Sequence, residues 1–188
     1  MYFQTLDDKG ECVGVYKDGE LFFQEMPEGI RRTWKYAEYL ENSDVEYGSI
    51  YSGNGSLSDC CPKYLIDDWV EIEERLKAFY RSFVLAKIDL NQNCFFDLVP
   101  KQFLLRYCEI RNRITQHVFE NWPKPTNYDF MVDLTKVLTK IKHQRLNIDL
   151  SQLSKQAHLP KFRQAMKKYR QIQPYCRYNI RGTKTGRH

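Results

Sequence analysis

Tyr2-Phe-Gln-Thr-Leu6, Cys12-Val-Gly-Val-Tyr16 and Leu21-Phe-Phe-Gln24 are the runs on which the fold turns. Each is short and rich in aromatic or β-branched residues, as a strand on a half-buried sheet requires. Asp8-Lys9-Gly10-Glu11 separates the first two, and Lys17-Asp18-Gly19-Glu20 separates the second pair. Gly accepts the positive φ that tight primed turns impose, so both connections read as hairpin turns. The stretch therefore predicts a β meander closed by Pro27 and Gly29. Val45–Tyr51 reads as a fourth strand, ending in the loop Ser52-Gly53-Asn54-Gly55-Ser56.

Outward from the meander the apolar period changes from two to between three and four. Trp69, Ile72, Leu76, Phe79, Phe83 and Ala86 form one face of an amphipathic helix that starts after Asp67 or Asp68. Pro100 can open a second helix, lined on one side by Phe103, Leu104, Tyr107, Ile110, Ile114 and Val118. Pro123 and Pro125 break the chain. Asn127 then caps a third helix that turns Phe130, Met131, Leu134, Val137, Leu138 and Ile141 inward. A short basic helix follows from Pro160 to Tyr169, with Phe162, Ala165, Met166 and Tyr169 on one face. These stripes are core, not sites. The fold class is α+β: a small, mostly antiparallel N-terminal sheet, then amphipathic helices and a basic C-terminal segment.

A chain of 188 residues holds one domain and an appendage, and 42% apolar with 14% aromatic content is enough for a real core. None of the six Cys forms a C-x-x-C pair and the four His are scattered, which points to buried free thiols and no metal site. No apolar run is long enough for a membrane span, and the N-terminus lacks the regions of a signal peptide, so a cytoplasmic protein is expected.

Charge is divided unevenly. All 24 acids and 19 of the 29 bases lie in residues 1–149, leaving that part at −5 and the last 39 residues at +10. A one-signed basic segment interleaved with Tyr169, Tyr175 and Tyr178 is a footprint for a polyanion, most often nucleic acid. Within it, Gly182-Thr-Lys-Thr-Gly-Arg187 offers two close-approach glycines, two hydroxyls and two cationic donors. That set suits a sugar–phosphate backbone without reading bases. It lacks the spacing of a nucleotide P-loop.

Tyr178-Asn179-Ile180-Arg181-Gly182-Thr183-Lys184-Thr185-Gly186-Arg187 resembles the segment that opens the palm of phage-type family A DNA polymerases. That motif reads T-x-T-G-R, preceded in phage-type members by Y-N-x-x-G-T. Leu146-Asn-Ile-Asp149 is similar to the end of the family's exonuclease-like domain, and the meander followed by helices looks like its upstream domain. The resemblance implies a degenerate RNase H-like exonuclease scaffold over 1–149, a thumb-like linker and helix over 150–177, and the start of the palm over 178–188. It implies phage DNA replication, in a bacterial host cytoplasm, with the primer–template duplex backbone as partner. The contacts would come from Thr183, Lys184, Thr185, Arg187, Arg181 and Asn179, with Lys167 and Lys168 alongside. The catalytic palm carboxylates, the Mg2+ they would hold and the fingers belong to parts of such a polymerase that this sequence does not include, so this segment alone is not expected to polymerise.

An exonuclease of this family needs about four carboxylates around two metal ions, the first pair as D-x-E inside the first strand. The run Tyr2–Leu6 contains no acid, and Asp7, Asp97, Asp129 and Asp133 are the remaining candidates. A degenerate scaffold is the expectation. Two alternatives stand beside it: a free-standing nucleic-acid-binding protein with a basic arm, and a metal-dependent 3′–5′ exonuclease.

Overall fold

The computed structural model describes residues 2–8, 11–90, 92–143, 151, 155 and 158–171. Five strands come first: β1 (Gln4–Asp8), β2 (Glu11–Lys17), β3 (Glu20–Phe22), β4 (Arg32–Thr33) and β5 (Glu46–Tyr47). The α-helices whose full range lies among the described residues are α1 (Gly48–Tyr51), α2 (Ile66–Leu85), α3 (Phe95–Leu98), α4 (Lys101–Asn121), α5 (Tyr128–His143) and α6 (Pro160–Gln171). The architecture is α+β. The chain divides into two compact units, Met1–Leu134 and Thr135–His188.

In the first unit β1, β2 and β3 form an antiparallel meander. Gln4 pairs with Tyr16 and Thr5 with Val15, until a bulge between Leu6 and Asp7 shifts the register so that Asp7 faces Cys12. The β2–β3 turn has φ of 51° at Asp18 and 92° at Gly19, the two positive values a type I′ turn needs. β4 and β5 pair in parallel, Arg32 with Glu46 and Thr33 with Tyr47. A parallel bridge between Tyr2 and Arg32, in which Phe3 N donates to Arg32 O at 3.0 Å, joins the two ladders. The three-stranded sheet β1-β2-β3 and the parallel pair β4-β5 are thus separate ladders that touch at one parallel bridge.

Three local expectations need correction. The first strand extends past Leu6 to Asp8, so acids do lie at its end, beyond the bulge. Val45–Tyr51 is not one strand: only Glu46–Tyr47 pairs, and Gly48–Tyr51 coils into a helical turn. At Gly48 a Cβ would stand 3.2 Å from Phe119 and 3.3 Å from Trp34, so glycine is what lets α1 lie against α4. β4, absent from the sequence reading, is two residues long and exists through its parallel neighbour.

α4 crosses the sheet and is the central helix of the core. Phe103, Leu104, Cys108, Ile110, Ile114, Thr115, Val118 and Phe119 are buried along it, against Phe3, Leu6 and Val15 of the sheet and Ile72 of α2 in one cluster. Pro100 caps it, as its fixed φ and missing N–H favour. α2 begins at Ile66, so Asp67 and Asp68 occupy the first turn, where the helix dipole favours negative charge. It buries Trp69, Ile72 and Phe83, packs Phe79 edge-on to Phe103 at 4.8 Å, and links Asp68 to Arg106 at 2.5 Å. Ala86 was expected inward, but the helix ends at Leu85 and Ala86 is an exposed cap residue.

α5 also differs. Tyr128 is buried and its hydroxyl accepts the Tyr47 amide proton at 2.9 Å, while Met131 and Val132 pack on the core. Phe130, Leu134, Val137 and Ile141, expected inward, are exposed. The helix carries apolar residues on two sides, and within the first unit Tyr128, Met131 and Val132 pack on the core while Phe130 and Leu134 are exposed. In the second unit, α6 buries Met166, half-buries Phe162, and exposes Lys161, Arg163 and Lys167.

Candidate nuclease centre and nucleic-acid interface

The four acids proposed for a nuclease centre sit in different settings. Asp7 is half-buried on β1 past the bulge. Asp97 is exposed in the first turn of the four-residue helix α3. Asp129 and Asp133 are exposed one turn apart at the start of α5. Among the described residues no group of three or more His, Cys, Asp or Glu gathers to hold a metal ion.

The start of β1 carries an amide instead. Gln4 is fully buried between the sheet and α4. Its Nε2 donates to Asn112 Oδ1 at 2.9 Å and to Thr115 Oγ1 at 2.8 Å. Thr115 Oγ1 in turn donates to Arg111 O at 2.8 Å, which fixes the Thr115 hydroxyl as acceptor and Gln4 as donor. Gln4 Oε1 has no partner, the one unsatisfied atom of this neutral cluster. Beside it a cleft of about 320 Å³ opens between Tyr2, Tyr16 and the α4 residues Glu109, Asn112 and Gln116. Burial, then the charges of Glu109, Cys108 and Asp18, push the Tyr16 hydroxyl above its usual range, so it stays protonated there. Sequence reasoning saw only that the strand lacked an inner acid. The available signal was a Gln in an inward register and an Asn and a Thr three residues apart on the stripe of α4.

A second polar node lies where β1, β4 and β5 meet. Arg32 Nε donates to Glu46 Oε2 at 2.7 Å, and Tyr51 OH donates to Glu46 Oε1 at 2.5 Å. The Arg32 guanidinium lies 4.8 Å from the Phe119 ring centroid and 6.0 Å from that of Tyr2. Burial alone would raise the Glu46 carboxyl, but the bonds from Tyr51 and Arg32 outweigh it and hold the group below its usual range. Both ends are paired, so the node ties strands together and offers no free charge for chemistry.

Burial keeps three of the thiols protonated. Burial raises Cys60 and Cys61, and pushes Cys108 up to about 12, which removes the thiolate a nucleophile needs.

Of the residues expected at a nucleic-acid backbone, Lys167 is exposed on α6, and Lys168 follows it on the same helix. Asn179, Arg181, Thr183, Lys184, Thr185 and Arg187 lie outside the described residues. Among the described residues no helix is long and apolar enough to cross a membrane. Compared with known proteins, the chain matches no family model, no curated protein and no solved structure.

Proposed function

We propose that this chain is the front part of a phage-type DNA polymerase of family A, with a catalytically degenerate exonuclease-like body and a basic segment that grips primer–template backbone. The observation that carries the reading is the string Tyr178–Arg187, which holds Gly, Thr, Lys and Arg at the positions of the palm-opening motif. A generic basic arm would carry Lys and Arg without that order.

Two features of the body support it. A three-stranded antiparallel sheet, bridged through Tyr2 and Arg32 to a short parallel pair and crossed by α4, is compatible with an RNase H-like scaffold. At the start of β1 stands the neutral Gln4, bonded to Asn112 and Thr115, and the strand has no acid before Asp7. The Gln4 amide donates only to neutral oxygens, and no carboxylate lies among them to hold a cation, so this cluster suits packing and not two-metal hydrolysis.

Backbone binding is electrostatic and therefore depends on salt. Anisotropy of a labelled primer–template duplex, titrated with the chain across a salt series, tests the reading. With about three to five phosphates neutralised, the log–log slope should be about −3 to −4.5, with little sequence preference. Arg187→Ala and Lys184→Ala should each flatten the slope by about 1. A flat salt response, or variants that bind like the parent chain, would refute it.

A further inference from the structure

The solvent side of α2 carries an apolar line of its own. Ile66, Val70, Tyr80 and Val84 are exposed by 43%, 46%, 46% and 76%. Glu73 and Lys77 lie between them, and the six residues step along the helix by four, three, four, three and four. At 100° per residue that spacing keeps them within about 40° of one line, beside the buried face of Trp69, Leu76 and Phe83. This is the a/d spacing of a helix that packs against another helix.

The line is complementary to itself when read backwards. Turned end for end about the level of residue 75, Ile66 meets Val84, Val70 meets Tyr80, and Glu73 meets Lys77. We propose that this face of α2 is a homodimer interface, in which two copies of this chain pack α2 against α2, antiparallel, about a two-fold axis. Symmetry repeats every pair, so the centre holds two Glu73–Lys77 pairs flanked by apolar contacts at both ends. Along one border Asp67 of each copy comes near Arg81 of the other, while Glu74 comes near its own counterpart. Parallel pairing would instead set Glu73 against Glu73 and Lys77 against Lys77, so the charges choose the antiparallel arrangement.

The central carboxylate is held in place before pairing. Trp69 Nε1 donates to Ser58 Oγ at 2.9 Å, and Ser58 Oγ donates to Glu73 Oε1 at 2.8 Å. That chain of bonds fixes the Glu73 side chain through one of its two oxygens. A pair of helices of this length buries about 1,000 Å² in total, at the low end of specific interfaces, so a Kd of tens of micromolar is expected.

The test is sedimentation velocity of the full chain from about 1 µM to about 1 mM. The parent chain should move from monomer to dimer over that range. Lys77→Glu sets Glu against Glu twice and should weaken association at least about tenfold. Glu73→Lys combined with Lys77→Glu reverses both charges and should restore it, a rescue that loss of folding cannot imitate. Val84→Asp should abolish the dimer. Lys77 and Val84 face solvent and Glu73 is half-buried beside Ser58, so circular dichroism verifies that each variant keeps its helices. A chain that stays monomeric throughout, whose line then serves some other partner, overturns the proposal. So does association that ignores Lys77→Glu or Val84→Asp, as pairing through the exposed side of α5 would, or a double variant no better than the single one.

Discussion

Single residues decide most of what the body can and cannot do. Gln4 is the clearest case, because an acid there would need a cation and an amide needs only Asn112 and Thr115. Its position was legible in the sequence as a missing acid. Its partners were not, since they lie 108 and 111 residues away and only the packing of α4 brings them together. Glu46 is held by nearer partners, 14 and 5 residues away, and yields a pH prediction. Its carboxyl is held low by Tyr51 and Arg32, against burial, which acts the other way. A carboxyl with a depressed folded pKa adds stability above its unfolded value of about 4.3, and that share is lost as pH falls through the folded value. Glu46→Gln should therefore lower the urea midpoint at pH 7, and the gap to the parent chain should close below about pH 4. A gap that persists unchanged to pH 3 would mean that the carboxylate charge contributes nothing and only shape matters.

At the scale of elements, strands and helices with strong local signals were legible and those made by neighbours were not. The Asp18-Gly19 turn announces the β2–β3 hairpin because its two positive φ values need that chemistry. The stripes of α2 and α4 give their inner faces, since the large apolar residues that recur at helical spacing there are the ones buried. α5 is apolar on two sides, so periodicity alone could not say which side meets the body. β4 is two residues with no pattern of their own, and β5 runs into a helical turn at Gly48 because α4 comes close. That approach is testable. Gly48→Ala gains about 1 kcal/mol of helix propensity in α1, yet its Cβ meets two buried rings at 3.2 and 3.3 Å. Phe119 and Trp34 are packed on their far sides and cannot yield freely, so overpacking wins and the variant should lose about 1–2 kcal/mol. Equilibrium urea unfolding reads the sign directly, and a stabilised variant would mean that the rings have room to move.

The molecule as a whole is an acidic body joined to a basic tail, and that division makes a prediction against simple electrostatics. Residues 1–149 carry −5 and residues 150–188 carry +10. If charge alone governed DNA binding, removing the body would remove repulsion, and a peptide of residues 150–188 would bind at least as tightly as the whole chain. The proposed polymerase reading expects the reverse. A palm-opening segment presents Thr183, Lys184, Thr185 and Arg187 in one order, and that order is useful only when the rest of the chain holds it against the duplex. Free in solution, the peptide must give up conformational freedom at every contact, at about 1–2 kcal/mol per ordered residue. The whole chain should therefore bind a primer–template duplex at least about tenfold more tightly than the peptide at equal salt, with a similar slope, because the phosphates contacted are the same. Parallel anisotropy titrations of the two species decide between the readings. Equal or tighter binding by the peptide would make the tail a generic basic arm, and the motif order within it would then have no part in binding.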